Sequence, residues 1–282
     1  MGLFSKDKDR EKQLSSDKFT ELTEKWDNFL NKIRNRFDES LIQAEEAILE
    51  NLDETNYDGN SVFTAWYGIK AQLQNLIQKI EDTFDEKVAP QMENYANTGF
   101  VVEQRIKGSE LTEDLDFKLE RFEIVLEGKV SQRIFDYAVK GFNKTFNCSE
   151  CGAQLQVRKD IFHAHYVSCD YCNAVNTFTP NDDIAQLRWV IDNIAKYKVI
   201  DAWDKMKKAQ STFRAARPES SGSGKEAYIQ AFRKREQAER NFWTEYFTVR
   251  SEYLPQYKES IEPDTDNKMK WFYEERKREL GY

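Results

Sequence analysis

The sequence predicts a mainly α protein, an elongated antiparallel helical bundle or coiled coil with a small β module inserted past its midpoint. Three observations carry that expectation. Of 282 residues only 11 are Gly and 5 are Pro, too few turn formers for a chain of many short strands. Long stretches repeat apolar residues at helical spacing among Glu, Lys, Gln and Ala, which favour helices. All four cysteines fall in one 25-residue window, and there the helical spacing stops. Charged residues make up 33% and the mean hydropathy is -0.81, yet 6 Trp, 13 Tyr and 19 Phe are enough to fill an interior, so disorder is a poor description of the whole.

Residues 1–14 alternate in charge and read as a flexible tail. Met1-Gly2 opens an N-myristoylation pattern, but that pattern needs Ser or Thr at the sixth position, where Lys6 stands. The N-terminal helical region spans 15–143. From Ser16, an N-cap type, apolar residues recur at Phe19, Leu22, Trp26, Phe29, Ile33, Phe37, Leu41, Ala44, Ile48 and Leu52. The mean step of 3.67 residues matches an eleven-residue repeat and predicts a nearly straight helix. Asn56 to Asn60 is turn chemistry, with Asp58-Gly59 placed to supply a left-handed residue. A second stripe, Phe63, Trp66, Leu73, Ile77, Ile80 and Phe84, predicts a helix folding back on the first. Pro90 kinks or restarts it. Phe100 to Lys107, bounded by Gly99 and Gly108, fits a strand as well as a helix. Helical spacing resumes from Leu111 and runs towards Phe142.

After the β module at 144–180, residues 181–217 predict a helix that packs back on the bundle, with Asn181 to Asp183 as its start signal. Residues 218–225, rich in Ser and Gly, read as a flexible linker. Residues 226–282 predict C-terminal helices, broken near Pro255 and Pro263, the last from about Asp266 to Leu280. No tandem repeat stands out.

The cysteines form two pairs, Cys148-Ser149-Glu150-Cys151 and Cys169-Asp170-Tyr171-Cys172, with seventeen residues between them. Each CxxC can form a tight knuckle that aims two thiolates at a tetrahedral ion. Gly152 and Asn173, which follow the two pairs, are the residue types that best tolerate a left-handed backbone. Between the knuckles, Leu155 and Val157, then Phe162, Ala164 and Tyr166, alternate with polar residues as strand arms do. Lys159-Asp160 stands at the turn, and Ala174 to Phe178 fits a third strand. A module this small is below the ~40 residues a hydrophobic core alone can hold together, so metal must supply the difference.

The pattern Cys148-Ser149-Glu150-Cys151-Gly152 with Cys169-Asp170-Tyr171-Cys172-Asn173 resembles the four-cysteine zinc ribbon, over residues 144–180 only. The resemblance implies one structural Zn²⁺ held by Cys148, Cys151, Cys169 and Cys172 and a small antiparallel sheet. It says nothing of the flanking helices. Two disulfides would need an oxidising compartment, a redox pair would more often use one CxxC, and an iron centre uses the same ligands. Catalytic zinc is disfavoured, because four thiolates leave no open position for water.

The remaining candidates have bland readings. His163 and His165, the only histidines, share a strand face but lack a third ligand. Glu45-Glu46 and Glu274-Glu275 belong to solvated helix faces beside Lys or Arg. Gly222-Ser223-Gly224-Lys225 lacks the upstream glycine of a phosphate-binding loop. Arg233-Lys234-Arg235 and Arg276-Lys277-Arg278 lie among aromatics, but also among Glu236, Glu239, Glu274, Glu275 and Glu279.

Charge weighs on the partner. Residues 1–143 carry 19 basic and 29 acidic side chains, and the remainder is nearly balanced, which disfavours contact with a nucleic-acid backbone. No apolar run approaches the ~18 residues of a membrane span, and the charged start lacks a signal-peptide core. The sequence therefore leads to the expectation of a cytoplasmic, non-enzymatic scaffold or adaptor with a protein partner and with oligomerisation open. The alternatives are a nucleic-acid accessory protein acting through the ribbon and the C-terminal basic-aromatic helices, and a peripheral membrane coiled-coil protein.

Overall fold

The computed structural model describes residues 3–156, 161–180, 188–216 and 223–280. The chain is mainly α, with one small strand pair beside the cysteines. Its elements are α1 (Leu3–Glu54), α2 (Gly59–Thr83), α3 (Ala89–Met92), α4 (Thr98–Thr145), β1 (His165–Ser168), β2 (Val175–Phe178), α5 (Arg188–Lys198), α6 (Ile200–Ala215), α7 (Ser223–Tyr253) and α8 (Ile261–Leu280). Two compact units divide it, Met1–Glu123 and Ile124–Tyr282, and the division falls inside α4.

In the first unit α1 buries Trp26, Leu30, Ile33, Phe37, Ala44, Ile48 and Leu52; of the expected stripe Phe19, Leu22, Phe29 and Leu41 are only half-buried, and Leu30 takes the buried place expected of Phe29. Lys107–Asp27 and Lys118–Asp38 pair at one constant offset of 80 residues, so α1 and α4 run parallel. Lys70 of α2 pairs with Glu123 of α4, and Asp85, in the π-helical turn Phe84–Val88 that continues α2, pairs with Arg105 of α4; the positions rise on one side as they fall on the other, so α2 is antiparallel to both. This is an up-down-up arrangement of three helices around a shared apolar interior. All but the half-buried Lys70–Glu123 are largely exposed ion pairs, which set register more than stability. Inside, the Trp26 ring lies against Phe84 at 5.2 Å, and its Nε1 donates to the Gln104 carbonyl at 3.0 Å.

Several local expectations are corrected. The left-handed residues between α1 and α2 are Asn56 (φ 53) and Tyr57 (φ 65), not Asp58-Gly59. Gly59 opens α2, and the Asp58 side chain accepts from the Asn60 N–H as its N-cap. Before Pro90 the chain makes a π-helical turn, Phe84–Val88, and α3 restarts with the proline in its first turn, where its missing N–H costs nothing. Phe100 to Lys107 is helix, part of the unbroken α4. Gly108 does not end an element there. A β-carbon on it would stand 2.9 Å from the Trp26 ring, so the glycine lets α4 approach α1. The helix α1 starts at Leu3, taking in residues expected as a tail, and α7 starts at Ser223, within the expected linker.

In the second unit α5 and α6 replace the single helix expected up to Arg217. Val199 leaves the helical region (φ -107, ψ 26) and separates them. The start signal at 181–183, the turn at 159–160 and residues 218–222 of the linker lie outside the described residues. Ala195, Val199, Ala202, Trp203 and Met206 pack on Phe242 and Tyr246 of α7. A second cluster joins Phe232 of α7 to Met269 and Phe272 of α8. Pro263 sits in the first turn of α8 rather than breaking it. The basic runs are tied across these helices. Arg235 pairs with Glu275 at 3.5 Å and lies 4.8 to 5.0 Å from the Phe213, Trp271 and Phe272 rings, and Arg276 pairs with Glu236. Phe135 of α4 meets Phe162 at 6.5 Å, a contact between this helical core and the cysteine module.

Candidate metal centre

The module folds as two copies of one local structure. In the first, the Cys148 N–H donates to the Ala153 carbonyl and the Gly152 N–H to the Cys148 carbonyl. In the second, Cys169 N–H donates to Ala174 and Asn173 N–H to Cys169. Each knuckle closes through a left-handed residue, Gly152 (φ 73) and Asn173 (φ 61), as their residue types suggested. The sequences align as Cys-x-x-Cys, then Gly or Asn, then Ala, then one residue, then Leu155 or Asn176. This short internal repeat went unseen in the sequence, because only the cysteines and one alanine are identical in the two halves.

The arms differ from expectation in one respect. The strand pair is β1 with β2, antiparallel, in the register His165 with Phe178 through Ser168 with Val175. The Leu155 arm makes only an isolated bridge, Asn147 with Gln154, among the described residues. Of the two histidines only His165 lies in β1, so they do not share a strand face. Its Nδ1 donates to the His163 carbonyl at 3.0 Å, and neither histidine belongs to the one cluster of potential metal ligands among the described residues.

The fold brings the four predicted sulfurs together. Among the described residues Cys148, Cys151, Cys169 and Cys172 form the one cluster fit for a metal, with all ligand atoms within 4.8 Å of one another. Cys148 and Cys172 Sγ are 3.5 Å apart, and Cys151 and Cys169 Sγ 3.6 Å. These spacings exceed the ~2.05 Å of a disulfide. They suit a tetrahedron of thiolates around an ion at ~2.3 Å from each, whose edges are roughly 3.8 Å. Cys148 and Cys169 are buried and pack with Leu155, while Cys151 and Cys172 face solvent.

The electrostatics also fit a cation. The Cys151 and Glu150 N–H groups point at the Cys148 sulfur and bring that thiol down to about 6. At Cys172 the Ala174 N–H acts in the same direction, but the Cys151 sulfur, partial burial and the other two sulfurs outweigh it and push the thiol up to about 12. Cys151 is raised as well, despite the Ala153 N–H. Cys148 ionises readily while Cys151 and Cys172 resist, as expected of thiolates crowded together without a counter-charge. A divalent ion removes that conflict.

One side chain beyond the sulfurs belongs to the centre. Asn176, on β2 and 6% exposed, accepts from the Ser149 N–H at 2.9 Å and the Ser149 hydroxyl at 3.1 Å. Its amide donates to the Ala174 carbonyl at 3.1 Å and to Cys148 Sγ at 3.5 Å. The sequence signal that could have found it is its place opposite Leu155 in the repeat.

No family model, curated protein or solved structure matches this chain. The site therefore rests on its own geometry. A four-cysteine cluster compatible with a metal-binding module is what the fold builds. No helix among the described residues is long and apolar enough to cross a membrane.

Proposed function

We propose that the protein is a non-enzymatic, zinc-binding scaffold or adaptor of the cytoplasm, which contacts a protein partner through its long helices and through a recognition face made rigid by one structural Zn²⁺. The observation that carries this reading is the donor set itself. Four converging thiolates complete the shell of a tetrahedral ion and leave no position for water or substrate. Zinc is the divalent ion most often held so, though an iron centre would use the same ligands.

The surface of the module supports recognition. Tyr166 (73% exposed) and Val175 (64%) stand on the outer face of the strand pair, and Tyr171 (82%) projects from the second knuckle. Tyr171 also borders a groove of about 300 Å³ with Leu155, Val167 and Asp170. Exposed tyrosines suit interfaces, since they offer large amphipathic contact area with few rotatable bonds.

Nucleic-acid binding gains less support. The net charge is -8, a Zn²⁺ in four thiolates leaves -2 at the module, and Arg235 and Arg276 are already paired with Glu275 and Glu236.

The test is affinity capture from the native host with three proteins: wild type, a Cys148→Ser, Cys151→Ser double variant, and a Tyr166→Ser, Tyr171→Ser double variant that keeps its metal. A protein bound by wild type and lost with both variants supports the reading. Capture of nucleic acid that weakens steeply with salt would replace it with the alternative.

A further inference from the structure

We infer that Asn176 is a positioning residue of the metal centre, which makes Cys148 electronically distinct from Cys169, its counterpart in the other knuckle. The inference rests on the metal-site reading above and goes beyond it by assigning a role to a residue that is not a ligand.

The repeat provides the internal comparison. Leu155 and Asn176 occupy equivalent places, four residues after the second cysteine of each knuckle. Both are buried, at 4% and 6% exposure. Leu155 fills its place with apolar contact to the cysteine cluster. A buried carboxamide at the other place must find hydrogen-bond partners or destabilise the module. Asn176 finds four, and all of them lie at the knuckles.

Its orientation follows from the chemistry of those partners. A backbone N–H can only donate, so the Ser149 N–H must face the Asn176 oxygen. The Ala174 carbonyl can only accept, so it must face the NH₂ group. Both constraints turn the amide donor towards Cys148 Sγ. One planar group thus ties the first knuckle to β2 and directs an N–H at a single sulfur.

A donor aimed at a thiolate stabilises its lone pairs. Cys148 becomes the less electron-rich sulfur on the metal, and the arrangement of the first knuckle no longer depends on the metal alone. Partners of this kind around metal ligands are typically worth roughly 10- to 100-fold in metal affinity.

The experiment uses the reduced full-length chain. Wild type, Asn176→Leu and Asn176→Asp are loaded with Co²⁺, and their sulfur-to-cobalt charge-transfer bands are recorded together with Co²⁺ affinity in chelator competition. Asn176→Leu copies the other half of the repeat. Asn176→Asp keeps the acceptor for Ser149 but replaces the donor. The expected result is tetrahedral Co²⁺ in all three, a charge-transfer shift to lower energy in both variants, and roughly 10- to 100-fold weaker binding. Bands and affinities identical to wild type would overturn the inference.

A second measurement needs no variant. In wild-type protein loaded with ¹¹³Cd²⁺, the Asn176 side-chain amide protons should show scalar coupling to the metal through Cys148. Its absence from otherwise resolved spectra would overturn the inference even if the variants failed to fold. Wild type that takes up neither metal would instead overturn the metal-site reading, and this inference with it.

Discussion

Gly128 of α4 lies so close to Tyr197 of α5 that a β-carbon on the glycine would stand 2.1 Å from the tyrosine Cβ. There the Gly128 backbone packs directly against the Tyr197 side chain. Asn193 Nδ2 donates to Ser131 Oγ at 3.3 Å one turn away, and it holds the same crossing. Overpacking a tight contact ordinarily costs about 1–3 kcal/mol, and this site has no flexible neighbour to yield. Gly128→Ala is expected to destabilise by at least that amount in denaturant unfolding. Gly68→Ala, on an exposed helical surface with nothing within 4 Å, should instead stabilise by roughly 0.5–1 kcal/mol. Equal effects at the two sites would contradict the proposed crossing.

Metal removal should be local in its effect. Reduced protein is expected to contain one metal equivalent by elemental analysis, and Cys148→Ser or Cys169→Ser to contain none. The helical clusters of α5 to α8 have their own apolar cores. Chelation should therefore abolish the ordered amide resonances of 146–156 and 161–180 while far-ultraviolet circular dichroism changes little. A large loss of helix on chelation would mean that the metal supports more than the module.

The two left-handed knuckle residues should respond in opposite ways to substitution. Asn173 (φ 61) becoming Gly removes a steric penalty, whereas Gly152 (φ 73) becoming Val adds about 1–2 kcal/mol. No atom lies within 4 Å of a β-carbon at Gly152, so the cost there is backbone strain alone. Chelator competition should show weaker metal binding for Gly152→Val and unchanged or tighter binding for Asn173→Gly.

The Tyr246 hydroxyl donates to Asp192 at 2.9 Å, and Arg250 Nε donates to the same oxygen at 2.7 Å. Burial, and then the negative charge of Asp192, push the Tyr246 phenol above its ordinary 10.0. A group whose pKa is raised on folding contributes stability that is present below the unfolded value and lost as pH rises through and above it. Tyr246→Phe should cost about 1 kcal/mol at pH 7. The gap between variant and wild type should narrow above pH 10, measured by urea unfolding at both pH values.

Much of this was legible in residue order. The α1 stripe was read from spacing because burial of one helix face requires an apolar residue about every 3.6 positions. The four sulfurs were read from CxxC spacing because a knuckle is a local structure, set by neighbours in the chain. Phe100 to Lys107 was not legible, since a glycine is written alike whether it ends an element or, as Gly108 does, admits the Trp26 ring. Tyr57 in a left-handed conformation was equally hidden beside the more permissive Gly59.

Asn176 marks the same boundary at the metal centre. In the sequence it is one polar residue of an arm, and only the pairing of β2 with β1 and the return of the first knuckle bring it to Ser149 and Cys148. Periodicity and ligand spacing act over a few residues, so the chain alone determined most of the helical content and the four thiols, but not the helical state of Phe100 to Lys107 or the break at Val199. Helix direction, the approach of α4 to its neighbours and the bonding around Cys148 arise between residues far apart in the chain. Tertiary structure decided those, because desolvation and close packing select partners by position in space rather than in sequence.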